Sequence, residues 1–390
     1  MRSSFICAVL AVASFLAGAR AADDRFDPKI LKDLPDNSTV NLTIPFVGGE
    51  HVPAAFDESR GLFFKYGGWR DRSPQVQVEN SKGPKETYGN SCWALDMAAG
   101  QWKMLRPFDL SFPADRPPTG YFRGLAYDSK RKVVWMFGGK GSVRGGDASD
   151  LWTYDAGADT FKKWDVANRP TKGTEYESDA IVYDSARDLI ILPRGKATWI
   201  FRPEQNAWEK KDTPGAPQPD PRSVMIFDPI AKQVIFPKAV ATGKKAETLE
   251  AGVPRGAWRP LANGTFDEFE FQTWAYDPDR NQWTNLQPAT SPDPAYRLLF
   301  GLTYDSKNKA AILMGGRSLA TGSFQGKEVD PYWDDIWAYD LAKNAWTKMD
   351  YAGPRFRTYH DGCLECAYDP LNNVVVFANI RSRIAYRYKK

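Results

Sequence analysis

The chain contains two histidines, and one of them, His360, directly follows a tyrosine, Tyr359. A tyrosine and a histidine in the same site can act as a general acid and a general base. Tyr176 and Arg222 would complete such a site, because an arginine can neutralise a carboxylate of the substrate. These four residues are the candidate catalytic set if the protein is an enzyme.

A wider set of arginine, tyrosine and acidic residues suits ligand binding. Guanidinium groups pair with carboxylates, and tyrosine both stacks and hydrogen-bonds, so a polar, hydroxyl-rich or anionic ligand is favoured. Tryptophans in longer connecting segments would add platforms for sugar rings. The candidate ligand-binding residues are His51, Tyr121, Arg123, Glu177, Arg297, Arg357, Asp361, Trp69, Trp258 and Trp333. For each of them the competing interpretation is a salt bridge or a packing contact between neighbouring units.

These candidates are distributed over six units that repeat a two-part pattern. In the first part an aromatic residue and an Asp precede Gly-Gly or its substitute, and in the second part a Trp precedes another aromatic, as in Trp152 and Phe161. Repeats of this length indicate stacked or radially arranged units. The first part begins at Phe56-Asp57, Tyr127-Asp128, Tyr183-Asp184, Phe227-Asp228, Tyr304-Asp305 and Tyr368-Asp369.

Each unit predicts four short strands, which the second unit shows most clearly. Its strands are expected to end at Asp128, to span 133–137 and 151–155, and to lie around 161–164. Short strands at regular spacing, with periodic glycine and aromatic residues, are typical of an all-β repeat and fit the blades of a β-propeller.

The spacing, the Gly-Gly pairs and the paired aromatics together resemble kelch repeats, of the galactose oxidase central-domain-like superfamily, over about residues 45–390. The resemblance implies an all-β, six-bladed propeller with four-stranded antiparallel blades. Three units depart from the pattern where Gly-Gly is expected: they have Pro193-Arg194-Gly195, Pro237-Lys238 and Ala378-Asn379. We expect altered loop exits in those blades and the same fold.

We expect one propeller over residues 22–390, closed by an N-terminal strand. The sixth unit lacks a fourth strand, so either residues 29–35 or residues 39–44, within the N-terminal segment 28–44, should complete it and protect the exposed edges. The predicted blade cores are near residues 51–108, 121–166, 176–212, 222–288, 297–350 and 360–390.

Connection lengths indicate where a ligand would bind. The turns between first and second strands, and between third and fourth strands, keep one length in every complete unit. All insertions lie in the other connections, which should emerge together on the opposite face. Loops that a rigid scaffold positions tolerate change and carry function. We therefore expect binding on this long-loop face, over the central channel.

The resemblance also implies two possible classes of enzyme. Copper radical oxidases built on kelch propellers use a Tyr-His pair, a second histidine and a tyrosine cross-linked to a cysteine; Tyr359-His360 and His51 fit part of that pattern, without an evident cysteine–tyrosine partner. Some polysaccharide lyases use a propeller with tyrosine, histidine and arginine acting on a uronate.

No cofactor is predicted, with copper or calcium as alternatives. Calcium would bind the oxygens of Asp330, Asp334 and Asp335, although a solvated turn is the simpler interpretation. The small number of cysteines and histidines argues against a zinc site.

Residues 1–21 have the features of a secretory signal peptide: Arg2, an apolar stretch and the small-residue pattern Ala19-Arg20-Ala21. We therefore expect an extracellular or periplasmic location and a disulfide among Cys92, Cys363 and Cys366, with the pairing open. A net charge of +4 is too small to indicate nucleic-acid binding, and no later segment is long and apolar enough to span a membrane. The chain is expected to be a monomer that binds a glycan or a protein ligand, with a carbohydrate-active enzyme as the alternative.

Overall fold

The protein is described by a computed structural model that covers most of the chain, with gaps. At residues 246, 258–260, 266, 323–324 and 327–328 only the backbone is described. The described residues are 24–71, 88–109, 111, 114–139, 149–171, 179–219, 222–246, 258–260, 266–293, 295–317, 323–324, 327–328, 332–358 and 365–390.

Six antiparallel sheets of four principal strands are present within the described residues, and they form the blades of a β-propeller. The expected fold class is confirmed. Blades 1 to 3 consist of β2 (Ala55–Asp57), β3 (Leu62–Trp69), β4 (Tyr88–Asp96) and β5 (Gln101–Arg106); β6 (Gly124–Asp128), β7 (Val133–Phe137), β8 (Leu151–Asp155) and β9 (Thr160–Trp164); and β10 (Val182–Asp184), β11 (Leu189–Arg194), β12 (Ala197–Arg202) and β13 (Ala207–Asp212).

Blades 4 and 5 carry extra strands. In blade 4, β16 also pairs with β17; in blade 5, β21 and β22 form a separate hairpin. Blades 4 to 6 consist of β14 (Ile226–Asp228), β15 (Gln233–Ala246), β16 (Trp258–Pro260), β17 (Phe266–Asp277) and β18 (Gln282–Asn285); β19 (Gly301–Asp305), β20 (Ala310–Arg317), β21 (Ser323–Phe324), β22 (Lys327–Glu328), β23 (Tyr332–Asp340) and β24 (Ala345–Met349); and β25 (Cys366–Asp369), β26 (Val374–Ala378), β27 (Arg383–Arg387) and β1 (Ser38–Asn41).

Blade 6 shows how the ring closes. Strand β1 pairs antiparallel with β27, so an N-terminal strand completes the last blade as predicted. The other candidate segment is not a strand, because Lys29–Lys32 forms the short helix α1. Leu31 and Leu34, three residues apart, are buried here beside Phe56 of blade 1, so the N-terminal segment also fills the space between blades 6 and 1.

The hydrophobic core consists of layers between consecutive blades. Each layer combines residues from two neighbouring sheets, as where Trp135 of blade 2 meets Phe201 of blade 3. The strand Val133–Phe137 is almost entirely buried, as its apolar sequence predicts. In the five repeats that supply their own fourth strand, the second aromatic lies across the hairpin between the outer two strands, as Trp346 lies opposite Tyr339.

The repeated Asp fixes the turn between the first and second strands. In all six blades its carboxylate accepts the backbone N–H of the residue two or three positions later, as Asp128 accepts that of Arg131. The predicted constancy of this turn is confirmed by the strand registers. This rim of the propeller is called the short-turn rim below.

The second glycine of the first Gly-Gly pair, Gly68, is required by a close approach of two backbones. Gly68 has φ +116°, and a Cβ there would lie 2.5 Å from the Cα of Gly49. An L-residue with a side chain would be strained at this angle and would also clash. The Gly67-Gly68 pair therefore lies where the second strand meets the segment that enters the blade. The variable connections emerge at this end of the blade, and this rim is called the long-loop rim below.

The first strands line a central channel of about 300 Å³, with Ala126, Ile181, Ile226 and Leu302 among its walls. Among the described cysteines, Cys92 and Cys366 are free and buried. The expected disulfide is therefore not formed, because two of its three possible members are thiols; both belong to strands whose side chains pack in the core, and Cys363 lies outside the described residues. Within the described segments, no helix has the length and apolar composition needed to cross a membrane.

Candidate binding pocket on the long-loop rim

A pocket of about 670 Å³ lies between blades 5 and 6 on the long-loop rim. We call it the arginine pocket. Three segments form it: the start of β23, the connection from β24 to β25, and the turn from β26 to β27. Its lining residues are Tyr332, Trp333, Asp334, Arg355, Phe356, Arg357, Thr358 and Arg381.

Trp333 is fixed to the wall of the pocket through its backbone. The hydroxyl of Thr358 donates to the carbonyl of Trp333 at 3.2 Å and to that of Gly316 at 2.9 Å. The buried guanidinium of Arg297 lies 5.8 Å from the centroid of the Trp333 ring. These contacts fix the backbone of Trp333, and they place its indole at the pocket wall near Arg297.

Arg357 is positioned by the turn that follows β26. Its backbone N–H donates to the Ser382 hydroxyl at 2.7 Å, and its carbonyl accepts from the Asn379 side-chain amide at 3.1 Å. The side-chain oxygen of Asn379, Oδ1, accepts the backbone N–H groups of Arg381 and Ser382. Asn379 occupies one of the positions where Gly-Gly was expected, so this departure from the repeat joins two of the pocket's arginines.

Arg355 lies against a tyrosine at the rim of the pocket. Its guanidinium is 4.3 Å from the centroid of the Tyr351 ring, and the hydrogen bond with Tyr351 raises the pKa of Arg355. Burial raises the pKa of Tyr351, so its hydroxyl stays protonated and donates to the Asp334 carbonyl at 2.6 Å. Arg355 is therefore an oriented, fully charged group.

The pocket carries more positive than negative charge. Arg355 and Arg357 are exposed, and neither forms an ion pair with a described residue. Asp334 is the acidic residue of the lining. Guanidinium forks match carboxylate and phosphate or sulfate groups, and indole and phenol rings stack on apolar faces of sugars. The arrangement can therefore bind an anion that carries a ring.

Three other predicted residues meet in a second group, between blades 1 and 2 on the same rim. The ring of His51 lies 5.3 Å from that of Trp69 and 6.0 Å from that of Tyr121. Tyr121 stacks on Tyr88 at 5.4 Å, and the Arg70 guanidinium lies 4.0 Å above Trp69. His51, with φ 58°, is mostly buried in this cluster, so the aromatics mainly pack on each other.

The predicted residues Arg297, Arg123 and Arg222 do not line the arginine pocket. Arg297 is fully buried, and both of its terminal nitrogens bond to Asp335, so its guanidinium is used within blade 5. Arg123 is buried beside the channel. Arg222 is partly buried before β14.

The remaining predicted residues cannot be located in the same detail. The backbone of Trp258 begins β16, but its side chain is not described. The residues that lie outside the described part of the chain are Tyr176, Glu177, Tyr359, His360 and Asp361. Within the part that is described, no three His, Cys, Asp or Glu side chains are grouped so as to hold a metal ion.

Sequence reasoning missed Arg355, Arg381 and a buried ion pair. The alternation Arg355-Phe356-Arg357 could have revealed the first, because alternate residues of an extended segment face the same side. The ion pair joins Lys65 of blade 1 to Glu365, just before β25, at 3.1 Å, with both side chains at most 5% exposed. Burial raises the pKa of Glu365 to about 7. No sequence signal links two charges so far apart in the chain.

No protein-family model matches the chain, and no curated protein matches it.

Proposed function

We propose that the protein is an exported, kelch-type recognition module that binds an acidic glycan in the arginine pocket. A β-propeller suggests a binding module, although the fold alone does not determine function. The observation that carries the proposal is the convergence of Arg355, Arg357 and Arg381 with Trp333 in one cavity. Export is proposed from the sequence of residues 1–21.

The size and composition of the pocket support a sugar ligand. Ligand pockets usually enclose about 300–1,000 Å³, and the arginine pocket falls within this range. An acidic sugar offers both a carboxylate or sulfate for the arginines and an apolar ring face for Trp333. A peptide of acidic residues alone would satisfy the arginines but would give the indole no ring face to stack on, whereas an acidic sugar supplies both in one unit, and so a glycan is favoured.

A direct binding measurement tests the proposal. The protein lacking residues 1–21 is titrated calorimetrically with uronate-containing, sulfated and neutral oligosaccharides of equal length. We expect saturable binding of an acidic class, weakened by added salt because the contact is electrostatic. Equal binding of neutral and acidic chains, or no binding of any chain, would overturn the proposal.

Matched variants locate the site. Arg357→Ala should weaken binding about tenfold or more, since a charged hydrogen bond contributes roughly 1.5–3 kcal/mol. The control is Arg280→Ala, whose side chain is 79% exposed on the short-turn rim. An unchanged affinity in Arg357→Ala would place the ligand elsewhere. Following the same mixtures for chain cleavage, with His360→Ala and Tyr359→Phe as variants, tests the alternative of a lyase.

A further inference from the structure

The central channel is exposed to solvent at the short-turn rim. In every blade the residue that follows the repeated Asp lines the channel at this end. These residues, called the channel mouth, are Glu58, Ser129, Ser185, Pro229, Ser306 and Pro370, and all except Pro370 are exposed. At the long-loop end the first strands enclose a further space of only about 60 Å³. A ligand of the channel would therefore enter through the channel mouth.

The walls behind the channel mouth are apolar and remain in contact with water. Ile226 and Leu302 of the first strands line the channel and are each 7% exposed. Val234 and Ile312, which belong to the second strands of the same blades, are fully buried. An apolar group inside the channel would remove this remaining surface from water, which is favourable.

Glu58 brings a negative charge to the channel mouth. It is the charged residue among the described residues that line the channel, and its side chain has no hydrogen bond or ion pair with a described residue. Partial burial and the neighbouring charge of Asp57 raise the pKa of Glu58, and no cation contributes to its surroundings. A positive group at the channel mouth would therefore meet an unpaired carboxylate.

The turns around the channel mouth add to the negative potential. In blades 1 to 3 the repeated Asp bonds to an arginine three residues later. In blades 5 and 6 that position is an asparagine, whose neutral amide lies 2.8 Å from Asp305 and 2.6 Å from Asp369. In blade 4 the position is Ala231, and Asp228 accepts from a tyrosine hydroxyl instead. The carboxylates of these turns outnumber their arginines, and such a field attracts cations.

We propose that the channel binds a primary ammonium ion that carries an unbranched apolar chain. The ammonium would lie at the channel mouth beside Glu58, where the hydroxyls of Ser129 and Ser185 can accept its remaining N–H groups. The chain would extend between the apolar walls. A volume of about 300 Å³ corresponds to roughly ten water molecules in the liquid, which is enough for a chain of about six carbons.

The position of the charge decides between two sources of such a group. Glu58 lies at the channel mouth, and no described residue farther inside the channel is charged, so the apolar end of the ligand must enter first. A lysine side chain of a partner protein would instead have to place its ammonium deepest in the channel. A free amine is therefore favoured. The site is independent of the function proposed above, because it shares no residue with the arginine pocket.

A series of small probes tests the proposal. Affinities of propylammonium, hexylammonium, hexanol, hexanoate and Nα-acetyl-lysine N-methylamide for the purified protein are measured by ligand-detected NMR at pH 7 and constant ionic strength. We expect hexylammonium to bind most tightly, with a gain of about fourfold for each methylene that it has beyond propylammonium. Hexanoate should bind about tenfold more weakly or less, because its charge is repelled by Glu58.

Two pairs of variants locate the ligand. Glu58→Gln should weaken hexylammonium binding about fivefold and leave hexanol binding unchanged, because only the charged contact is lost. Its control is Glu204→Gln, at a 77% exposed position outside the channel lining, which should change neither affinity. Ser185→Trp should block the channel mouth and abolish binding of both probes. Ala186→Trp, one position farther along the same turn and outside the lining, should not.

Four results would overturn the proposal. Hexylammonium that shows no saturable binding would mean that the channel takes no amine. Equal binding of hexanoate and hexylammonium, or an unchanged preference for hexylammonium in Glu58→Gln, would mean that Glu58 does not select the ligand. Binding that survives Ser185→Trp would place the amine outside the channel. Binding of the lysine derivative as tight as that of hexylammonium would contradict the inward orientation of the chain.

Discussion

The two rims of the propeller use arginine in opposite ways. On the short-turn rim, Arg131 bonds to Asp128 of its own turn at 2.8 Å and to Asp188 of the next blade with two contacts, at 2.5 and 2.7 Å. Arg187 repeats the arrangement with Asp184 and Asp279. On the long-loop rim, Arg355 and Arg357 line a pocket and form no ion pair with a described residue.

The difference follows from the connections on each rim. Turns of one length bring the same positions together in successive blades, so an arginine three residues after the repeated Asp meets the next blade each time. Connections of different length do not bring the same side chains together in successive blades. An arginine there is therefore available for something outside the repeat, unless a strand of its own blade supplies a carboxylate, as Asp335 does for Arg297.

The largest expected effect comes from opening the ring, on which both rims depend. Removing residues 22–44 takes away β1 and the buried side chains of Leu31, Leu42 and Ile44. We expect loss of cooperative unfolding, because the deletion exposes the edge of β27 and also leaves a cavity in the core layer between blades 6 and 1. Circular dichroism melting and protease sensitivity measure this. A melting temperature equal to that of the chain that begins at residue 22 would contradict the closed ring.

Next in size is the contrast between a paired and an unpaired arginine on the long-loop rim. Arg297→Met should lower the free energy of unfolding by about 3–5 kcal/mol, because it leaves the charge of Asp335 buried without its partner. Arg357→Met, at an exposed position, should change it by less than about 0.5 kcal/mol. Urea unfolding at neutral pH measures both. Losses of equal size would remove the distinction between structural and pocket arginines.

The Lys65–Glu365 pair predicts a dependence of stability on pH. Burial raises the pKa of Glu365 from 4.5 to about 7, despite the attraction of Lys65, and the nearby charge of Glu50 adds to the rise. Because the folded-state value lies above the unfolded value, folding takes up a proton between these pH values. This contribution to stability is complete below pH 4.5 and is lost as pH rises through 7.

A variant isolates this contribution. Relative to Glu365→Gln, the unsubstituted protein should lose about 1–3 kcal/mol of unfolding free energy between pH 4.5 and pH 7. The control is Glu204→Gln, whose side chain is 77% exposed and which should leave the pH profile unchanged. Parallel profiles for the unsubstituted protein and Glu365→Gln would show that Glu365 does not titrate in this range.

Much of the fold could be predicted because it depends on contacts that are close in sequence. The turn after Asp128 is specified by a hydrogen bond to Arg131, three residues away, and the strand Val133–Phe137 by five apolar residues in a row. For the strand that closes the ring, the sequence left two candidate segments, residues 29–35 and residues 39–44. Leu31 and Leu34 lie three residues apart, a spacing that suits a helical turn, and Lys29–Lys32 forms α1 rather than a strand.

The candidate binding surface could be predicted only in part, because its residues are assigned by contacts between distant segments. Arg297 and Arg357 are alike in sequence, since each lies before a first strand. The structure separates them through Asp335, which lies 38 residues after Arg297 and bonds to its guanidinium. No spacing rule reveals that partner. The long-loop rim itself was predictable from the connection lengths, and the arginine pocket lies there.

The smallest expected effect concerns the ion pairs of the short-turn rim. Arg131 is 24% exposed and Asp188 17% exposed, so solvent screens their attraction. The hydrogen bond from Arg131 lowers the pKa of Asp188, and this stabilising contribution should therefore be lost as pH falls through that lowered value. A double-mutant cycle of Arg131→Ala and Asp188→Ala at neutral pH should give a coupling free energy of about 1 kcal/mol, reduced by added salt.

The same cycle for Arg280 and Asp277 is the control, because that pair is 3.6 Å apart with Arg280 largely exposed, and its coupling should be close to zero. Equal coupling in the two cycles would mean that the contact of Arg131 with the next blade adds nothing to an ordinary surface pair. Arg131→Ala should also leave oligosaccharide affinity unchanged, since it lies on the rim opposite the arginine pocket. A change in affinity would show that the two rims are coupled through the blade, and the contrast between a structural rim and a proposed binding rim would then fail at this position.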